Sequence, residues 1–194
     1  MDTEAHNEDD DDLVDQALLR RIAERQDRDA LQALYRRFQW RVSGFLRRMT
    51  SDPGLIEEAY NDVMLTVWNK AGQYRGESKA SSWVFSIAYR VCLRMVKKQK
   101  FRAGILEMLG RENKTPSIDQ GDAVARDDLI QSALNTLSAQ HRLVVELSYF
   151  RDFSTEEIAE IVGCPRNTVK TRLFHARKAI KTFVDRQTGT GALA

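Results

Sequence analysis

Cysteine, histidine and proline are scarce in this sequence, which has two cysteines, three histidines and three prolines among 194 residues. Cys92 and Cys164 are far apart and lack metal-ligand spacing, so the pattern argues against a disulfide framework and a zinc site. His6, His141 and His175 are equally scattered, and no Ser/His/Asp set or Gly-rich phosphate loop accompanies them. We therefore expect buried, unreactive cysteines and a protein without catalytic activity, metal or cofactor.

Long hydrophobic runs are also missing. No apolar stretch approaches the roughly 20 residues of a membrane-spanning helix. The N-terminus, MDTEAHNEDDDD, is acidic where a secretory signal is basic and then apolar. Since 42% of the residues are hydrophobic, a compact core is available. These features predict a globular, cytoplasmic protein that does not insert into membranes.

Charge is distributed unevenly along the chain. Residues 1–15 contain eight Asp or Glu and no Lys or Arg; removing these charges from the overall +2 leaves +10 on the rest. An acidic run of this kind is either a solvated, disordered tail or an arm that competes with nucleic acid for the basic body. The basic remainder indicates a polyanionic partner.

Hydrophobic periodicity is helical throughout, and we expect an all-α fold of two small helical domains joined by a flexible linker. Apolar residues recur every three or four positions, as at Leu31, Leu34, Phe38, Val42, Phe45 and Met49, and again at Ile56, Ala59, Val63 and Val67. Polar breaks fall at 51–54 and 71–81. The predicted division is an acidic disordered tail over 1–12, a first domain over 13–102, a linker over 103–126, a second domain over 127–186 and a disordered tail over 187–194.

The segment STEEIAEIVGCPRNTVKTRLFHARKAIK predicts a helix-turn-helix. Ser154 and Glu157 have the spacing of a capping box, and Gly163 supplies a left-handed stop. Pro165 suits the first turn of the next helix. Two short helices joined so abruptly are typical of DNA-binding pairs, although plain packing units share the pattern.

The second helix of this pair has a basic face that includes an aromatic residue. A step of 100° per residue places Val169, Leu173, Ala176 and Ile180 on the core side. The outward face consists of Asn167, Lys170, Thr171, Phe174 and Lys178. Burying Phe174 would gain roughly 1.5 to 3 kcal/mol, so its outward position predicts contact with a partner such as a thymine methyl group.

The first domain contains a polar loop followed by an aromatic and basic helix. Rings beside a basic track suit single-stranded nucleic acid, because bases stack on rings while cations hold the backbone. Trp83 has an equally good interpretation as a core residue. The rings and cations are Trp83, Phe85, Tyr89, Arg90, Arg94, Lys97, Lys98, Lys100 and Arg102.

The preceding helix has an acidic face formed by Glu57, Glu58, Asn61 and Asp62. In an otherwise basic domain such a face favours a protein partner over DNA. An ordinary amphipathic helix would show the same pattern.

Four segments, in this order, resemble the extracytoplasmic-function (ECF) sigma factors, the smallest members of the bacterial sigma-70 family. DPGLIEEAYNDVMLTVW is similar to region 2.2, YRGESKASSWVFSIAYR to region 2.3, the basic helix after it to region 2.4, and LSAQHRLVVELSYFRDFSTEEIAEIVGCPRNTVKTRLFHARKAI to region 4. The resemblance covers about residues 13–184.

The resemblance implies a promoter-specificity subunit whose partners are core RNA polymerase (its β′ clamp helices and β flap), promoter DNA and an anti-sigma factor. It assigns core binding to Glu57, Glu58, Asn61, Asp62, Leu65 and Trp68. It assigns the minus-ten element to Tyr74, Arg75, Ser78, Lys79, Trp83, Tyr89, Arg90, Arg94 and Lys97. It assigns the minus-thirty-five element to Arg166, Asn167, Thr168, Lys170, Thr171, Phe174, Arg177 and Lys178.

Some positions depart from the family pattern. Tyr89 and Arg90 stand where an Arg-Asn pair is common, and Phe174 and His175 where a His-Arg pair is common, so promoter sequence preferences are expected to differ from those of relatives. Two other classes share part of the pattern. A self-sufficient helix-turn-helix repressor or activator would dimerise on a palindrome, and a recombinase would need a nucleophile or carboxylate cluster.

Overall fold

Eight α-helices account for nearly all of the described chain in a computed structural model, which describes residues 2–50, 52–108 and 125–187. They are α1 (Asp2–Arg25), α2 (Arg28–Arg47), α3 (Pro53–Lys70), α4 (Ala80–Met108), α5 (Ala125–Asn135), α6 (Ala139–Tyr149), α7 (Thr155–Val162) and α8 (Arg166–Gln187). One 3-10 turn, Ala71–Gln73, follows α3. Within the described ranges no strand occurs, so the predicted all-α class is confirmed.

Polar caps set most of the helix starts. Asp27 and Asp52 accept hydrogen bonds from backbone N–H groups in the first turns of α2 and α3. The predicted capping box of α7 is present: Ser154 Oγ accepts from Glu157 N–H, and Glu157 accepts from Ser154 N–H at 2.8 Å. Gly163 ends α7 with φ of 69°.

The break between α1 and α2 was not expected from the periodicity, which continues across it. Gln26 adopts a positive φ of 49°, and Asp27 then starts α2. Ile22 on one side of the break and Ala30 on the other are both buried, which explains the uninterrupted apolar pattern. Asp27, a residue type common at helix N-termini, was the sequence feature that could have indicated this break.

The predicted acidic tail over 1–12 overlaps the first helix and stays a prediction. Helix α1 runs back through this segment to Asp2. Its last part is fixed by tertiary contacts, since Asp11 pairs with Arg37 at 2.9 Å and Asp12 accepts a hydrogen bond from Ala80 N–H at 2.7 Å. Charge repulsion along the run is reduced where such partners exist.

The linker prediction, 103–126, overlaps helical residues at both ends. Helix α4 continues to Met108 and α5 begins at Ala125. Residues 109–124 lie outside the described residues, as do residues 188–194 of the predicted C-terminal tail. The predicted end of the second domain at 186 agrees with α8 to within one residue.

The two predicted domains pack directly against each other. Helix α7 lies along α4, and α6 contacts both α2 and α4. The rings of Phe85 in α4 and Phe153 before α7 meet edge to face, with centroids 5.1 Å apart. One continuous hydrophobic core therefore joins α1–α4 to α6–α8.

Candidate nucleic-acid interface

Helix α8 presents the outer face that the sequence predicted. Val169, Leu173 and Ala176 are buried, and Ile180 packs against the core. Phe174 is 60% exposed. The predicted helix phase is therefore confirmed, and an aromatic ring stands on the solvent side of α8.

Polar groups around Phe174 leave this face open and basic. Lys170, Lys178 and Asn167 are exposed. Arg166 pairs with Glu156 of α7 at 2.7 Å, and the Thr171 hydroxyl donates to the Asn167 carbonyl at 2.9 Å. The remaining predicted positions differ in exposure, since Arg177 is exposed and Thr168 half-buried.

The loop before α4 forms an open depression of about 590 Å³. Its lining residues are Gly72, Gln73, Tyr74, Arg75, Glu77, Ser78 and Trp83. The Tyr74 hydroxyl donates to the Ser78 carbonyl at 2.7 Å, and the Tyr74 and Trp83 ring centroids are 5.6 Å apart. Burial, together with the negative charge of Asp12, raises the pKa of Tyr74 to about 12, so the hydroxyl remains a donor. The loop thus brings four of the predicted minus-ten residues, and Lys79 beside them, to one end of α4.

The predicted minus-ten residues farther along α4 divide into two groups. Arg90, Arg94 and Lys97 are exposed and form a basic edge. Tyr89, however, is only 4% exposed and its hydroxyl contacts Arg172 of α8. Burial raises the pKa of Tyr89, and Arg172 partly opposes that shift. In this arrangement of the helices Tyr89 is not presented to solvent, and its assignment to the minus-ten element stays a prediction.

Helix α3 carries the predicted core-binding residues on its outer side. Glu57, Glu58, Asn61, Asp62 and Leu65 are exposed, whereas Trp68 is partly buried against the core. Two of them have neighbours within the domain. Glu58 pairs with Lys98 of α4 at 3.6 Å, and Asn61 accepts a hydrogen bond from the Tyr35 hydroxyl at 3.3 Å. A groove of about 230 Å³, acidic on its α3 side and basic on its α4 side, separates the two helices.

Sequence reasoning missed a buried ionic cluster where α6 meets α2. Glu146, 2% exposed, lies 3.1 Å from Arg48 and 3.3 Å from Arg151. Burial raises the pKa of Glu146 although both guanidinium groups oppose the shift. Arg48 also stacks on Phe150, with its guanidinium carbon 4.4 Å from the ring centroid. The single acidic residue inside the apolar run LVVELSYF was the sequence feature that could have indicated a buried charge.

Other chemistry is not evident in the described part of the chain. No group of three or more potential metal ligands occurs there, and no helix in it is long and apolar enough to cross a membrane. Cys92 is buried, as expected, and burial raises the pKa of its thiol to about 12. Cys164 is half-buried.

Family models and known proteins match the chain over these same surfaces. The model for Sigma-70 region 2 matches residues 34–102, and the model for Sigma-70 region 4 matches residues 127–180. The first match contains the acidic helix, the loop and the aromatic start of α4. The second contains the helix-turn-helix.

Curated relatives and solved structures agree with these matches. ECF RNA polymerase sigma factor SigK of Mycobacterium sp. (strain JLS) is 30% identical over 171 residues, covering 84% of this chain and 87% of the relative. SigL of Mycobacterium tuberculosis (strain H37Rv) is 32% identical over 146 residues, covering 73% and 80%. CnrH, in complex with the cytosolic domain of CnrY, superposes with a TM-score of 0.66 at 20% identity over 89% of this chain and 98% of CnrH. RpoE of Bartonella quintana, in complex with the anti-sigma factor NepR, gives 0.58 at 24% identity over 74% and 89%.

One conclusion follows from the order of the two regions, from the exposed basic face of α8 and from relatives that match over most of their length. The chain belongs to the ECF sigma factors of the bacterial sigma-70 family.

Proposed function

We propose that this sigma factor binds core RNA polymerase through α3, opens the minus-ten element at the loop before α4, and recognises the minus-thirty-five element with α8. The chain contributes binding and positioning and catalyses no reaction itself. One observation carries the proposal: two separate exposed surfaces, each combining an aromatic ring with cations, occur on one chain.

The depression at the loop before α4 suits an unstacked base. Tyr74 and Trp83 supply ring surfaces, and base stacking on aromatic side chains contributes roughly 1 to 3 kcal/mol per base. Arg75, Arg90 and Arg94 are exposed and can neutralise backbone phosphates. Stacking and phosphate binding together favour the separated strand over the duplex.

The outer face of α8 suits the major groove, which admits an α-helix. Phe174 can contact a thymine methyl group, while Lys170 approaches guanine or phosphate and Thr171 contacts a neighbouring base. Arg166, Asn167, Thr168, Arg177 and Lys178 extend this surface. The phosphate contacts position the helix and Phe174 adds sequence discrimination.

The outer side of α3 suits a protein partner. The exposed Leu65 lies among Glu57, Glu58, Asn61 and Asp62, so an apolar centre is surrounded by acidic groups. The partner expected from the family resemblance is the β′ clamp helices, with the β flap as the partner of the second domain. Trp68 supports this surface from within.

An anti-sigma factor is the expected regulator. The solved structures of CnrH and of Bartonella quintana RpoE contain CnrY and NepR, respectively. A protein that covers α3 or α8 would prevent polymerase or promoter binding by this chain. The cytoplasm is the compartment in which these partners would be met.

Promoter binding with and without core polymerase tests the proposal. Genomic DNA fragments are incubated with the chain alone, with core polymerase alone and with both, and run-off transcripts are measured. We expect specific retention and transcripts only with both components. Specific binding of a palindrome by the chain alone would favour a self-sufficient repressor or activator, and strand cleavage would favour a recombinase.

A further inference from the structure

The start of helix α4 is capped from a distant part of the chain. The residue before it is Lys79, whose side chain cannot accept a hydrogen bond from the first-turn N–H groups. The acceptor is instead Asp12, whose Oδ1 lies 2.7 Å from Ala80 N although the two residues are 68 positions apart. A carboxylate at this point also complements the positive end of the helix dipole.

Asp12 is itself held in position. Its second oxygen accepts from Gln16 Nε2 at 2.7 Å, and α1 is tied to α2 through Arg37, which contacts both Asp11 and Asp15. Asp12 is close enough to Tyr74 to contribute to that residue's raised pKa. It therefore supports the depression that the loop forms before α4.

We infer that Asp12 is a positioning residue for promoter melting: it fixes the start of α4 so that the loop before it can hold an unpaired base. This inference rests on the proposed function of the loop. Two features make the role specific, namely an acceptor atom and its fixed distance from the first N–H group of α4. Variants can separate them.

The test compares open-complex formation by reconstituted holoenzyme on a duplex promoter and on the same promoter with a premelted minus-ten bubble. Asp12→Ala should reduce melting of the duplex about fivefold and leave the premelted template within twofold, because only on the duplex must the loop's hold on a base offset the cost of unpairing it. Asp12→Asn, which retains an acceptor oxygen, should recover most of the activity. Asp12→Glu, which keeps the charge but displaces it, should not.

Asp10→Asn is the matched control, since it removes a neighbouring acidic charge from an exposed position of α1. Circular dichroism establishes that each variant is folded. Equal losses on both templates, an Asp12→Asn variant no better than Asp12→Ala, or an equal effect of Asp10→Asn would each overturn the inference. Failure of the unmodified holoenzyme to melt any promoter would instead refute the proposed function.

Discussion

The buried ionic cluster around Glu146 allows the energetic cost of one lost cation to be worked out. Arg151 is 11% exposed at its side chain and lies 3.3 Å from Glu146, which is 2% exposed. Replacing Arg151 with Met keeps most of the aliphatic stem and leaves Glu146 with Arg48, 3.1 Å away, as its remaining cationic partner among the described residues. Removal of one member of a buried pair costs about 3 to 5 kcal/mol. Since Arg48 remains, we expect about 3 kcal/mol for Arg151→Met.

A double-mutant cycle tests the physical reason. Glu146→Leu alone should also cost about 3 kcal/mol, because it leaves Arg151 buried without a counter-charge. The double variant should cost about 3 kcal/mol or less, far below the sum, since neither charge then needs a partner. Urea unfolding followed by circular dichroism gives each free energy of unfolding. Additive costs would refute the reasoning.

Arg21→Met is the matched control that tests whether contact distance, rather than burial, sets the cost of losing an ion pair. Arg21 pairs with Asp27 at 2.7 Å, which is shorter than either contact of Glu146, but its side chain is 52% exposed. Exposed pairs contribute at most about 1 kcal/mol, so burial should decide the effect. A loss for Arg21→Met as large as that for Arg151→Met would show that contact distance matters more.

The same variant has an expected pH dependence. Burial already raises the pKa of Glu146, and loss of Arg151 removes one of the groups that oppose this shift. Between the unfolded pKa and the raised folded pKa, the folded state binds more protons, so the free energy of unfolding increases as the pH falls. The destabilisation by Arg151→Met should therefore be smaller near pH 5 than at pH 7. A constant difference would contradict the assignment of the cost to the buried carboxylate.

Three further predictions concern the outer face of α8, the outer side of α3 and the turn after α7. Phe174→Ala should preserve folding and relax discrimination at one minus-thirty-five base step by on the order of 1 kcal/mol. Lys178→Ala should instead weaken binding to all promoters alike and reduce its salt dependence. Holoenzyme binding to promoter variants at several salt concentrations distinguishes the two effects. Reversing the charges of Glu58 and Asp62 to Lys should reduce co-purification with core polymerase about tenfold without altering circular dichroism, and undiminished recovery would contradict the assignment of α3. Gly163→Ala should lower the thermal midpoint by an amount corresponding to about 1 kcal/mol, because φ is 69° at that position; no change would mean the turn relaxes without strain.

Local and periodic signals were enough to predict much of the fold. Ser154, Glu157 and Gly163 define the bounds of α7 because capping depends on atoms within a few residues. The outward position of Phe174 followed from the 100° helical step and from three apolar neighbours in α8. The class of the fold and the identity of both regions therefore came from the sequence.

The tertiary structure alone decided which helical faces meet. The cap of α4 comes from Asp12, 68 residues away, and the hydroxyl of the buried Tyr89 meets Arg172 in the other domain. Glu146 likewise finds Arg48 on a helix nearly one hundred positions earlier. Periodicity shows which face of a helix is apolar, but many pairings of such faces bury similar areas. Long-range polar contacts select among them, and their partners are fixed only once the chain is folded.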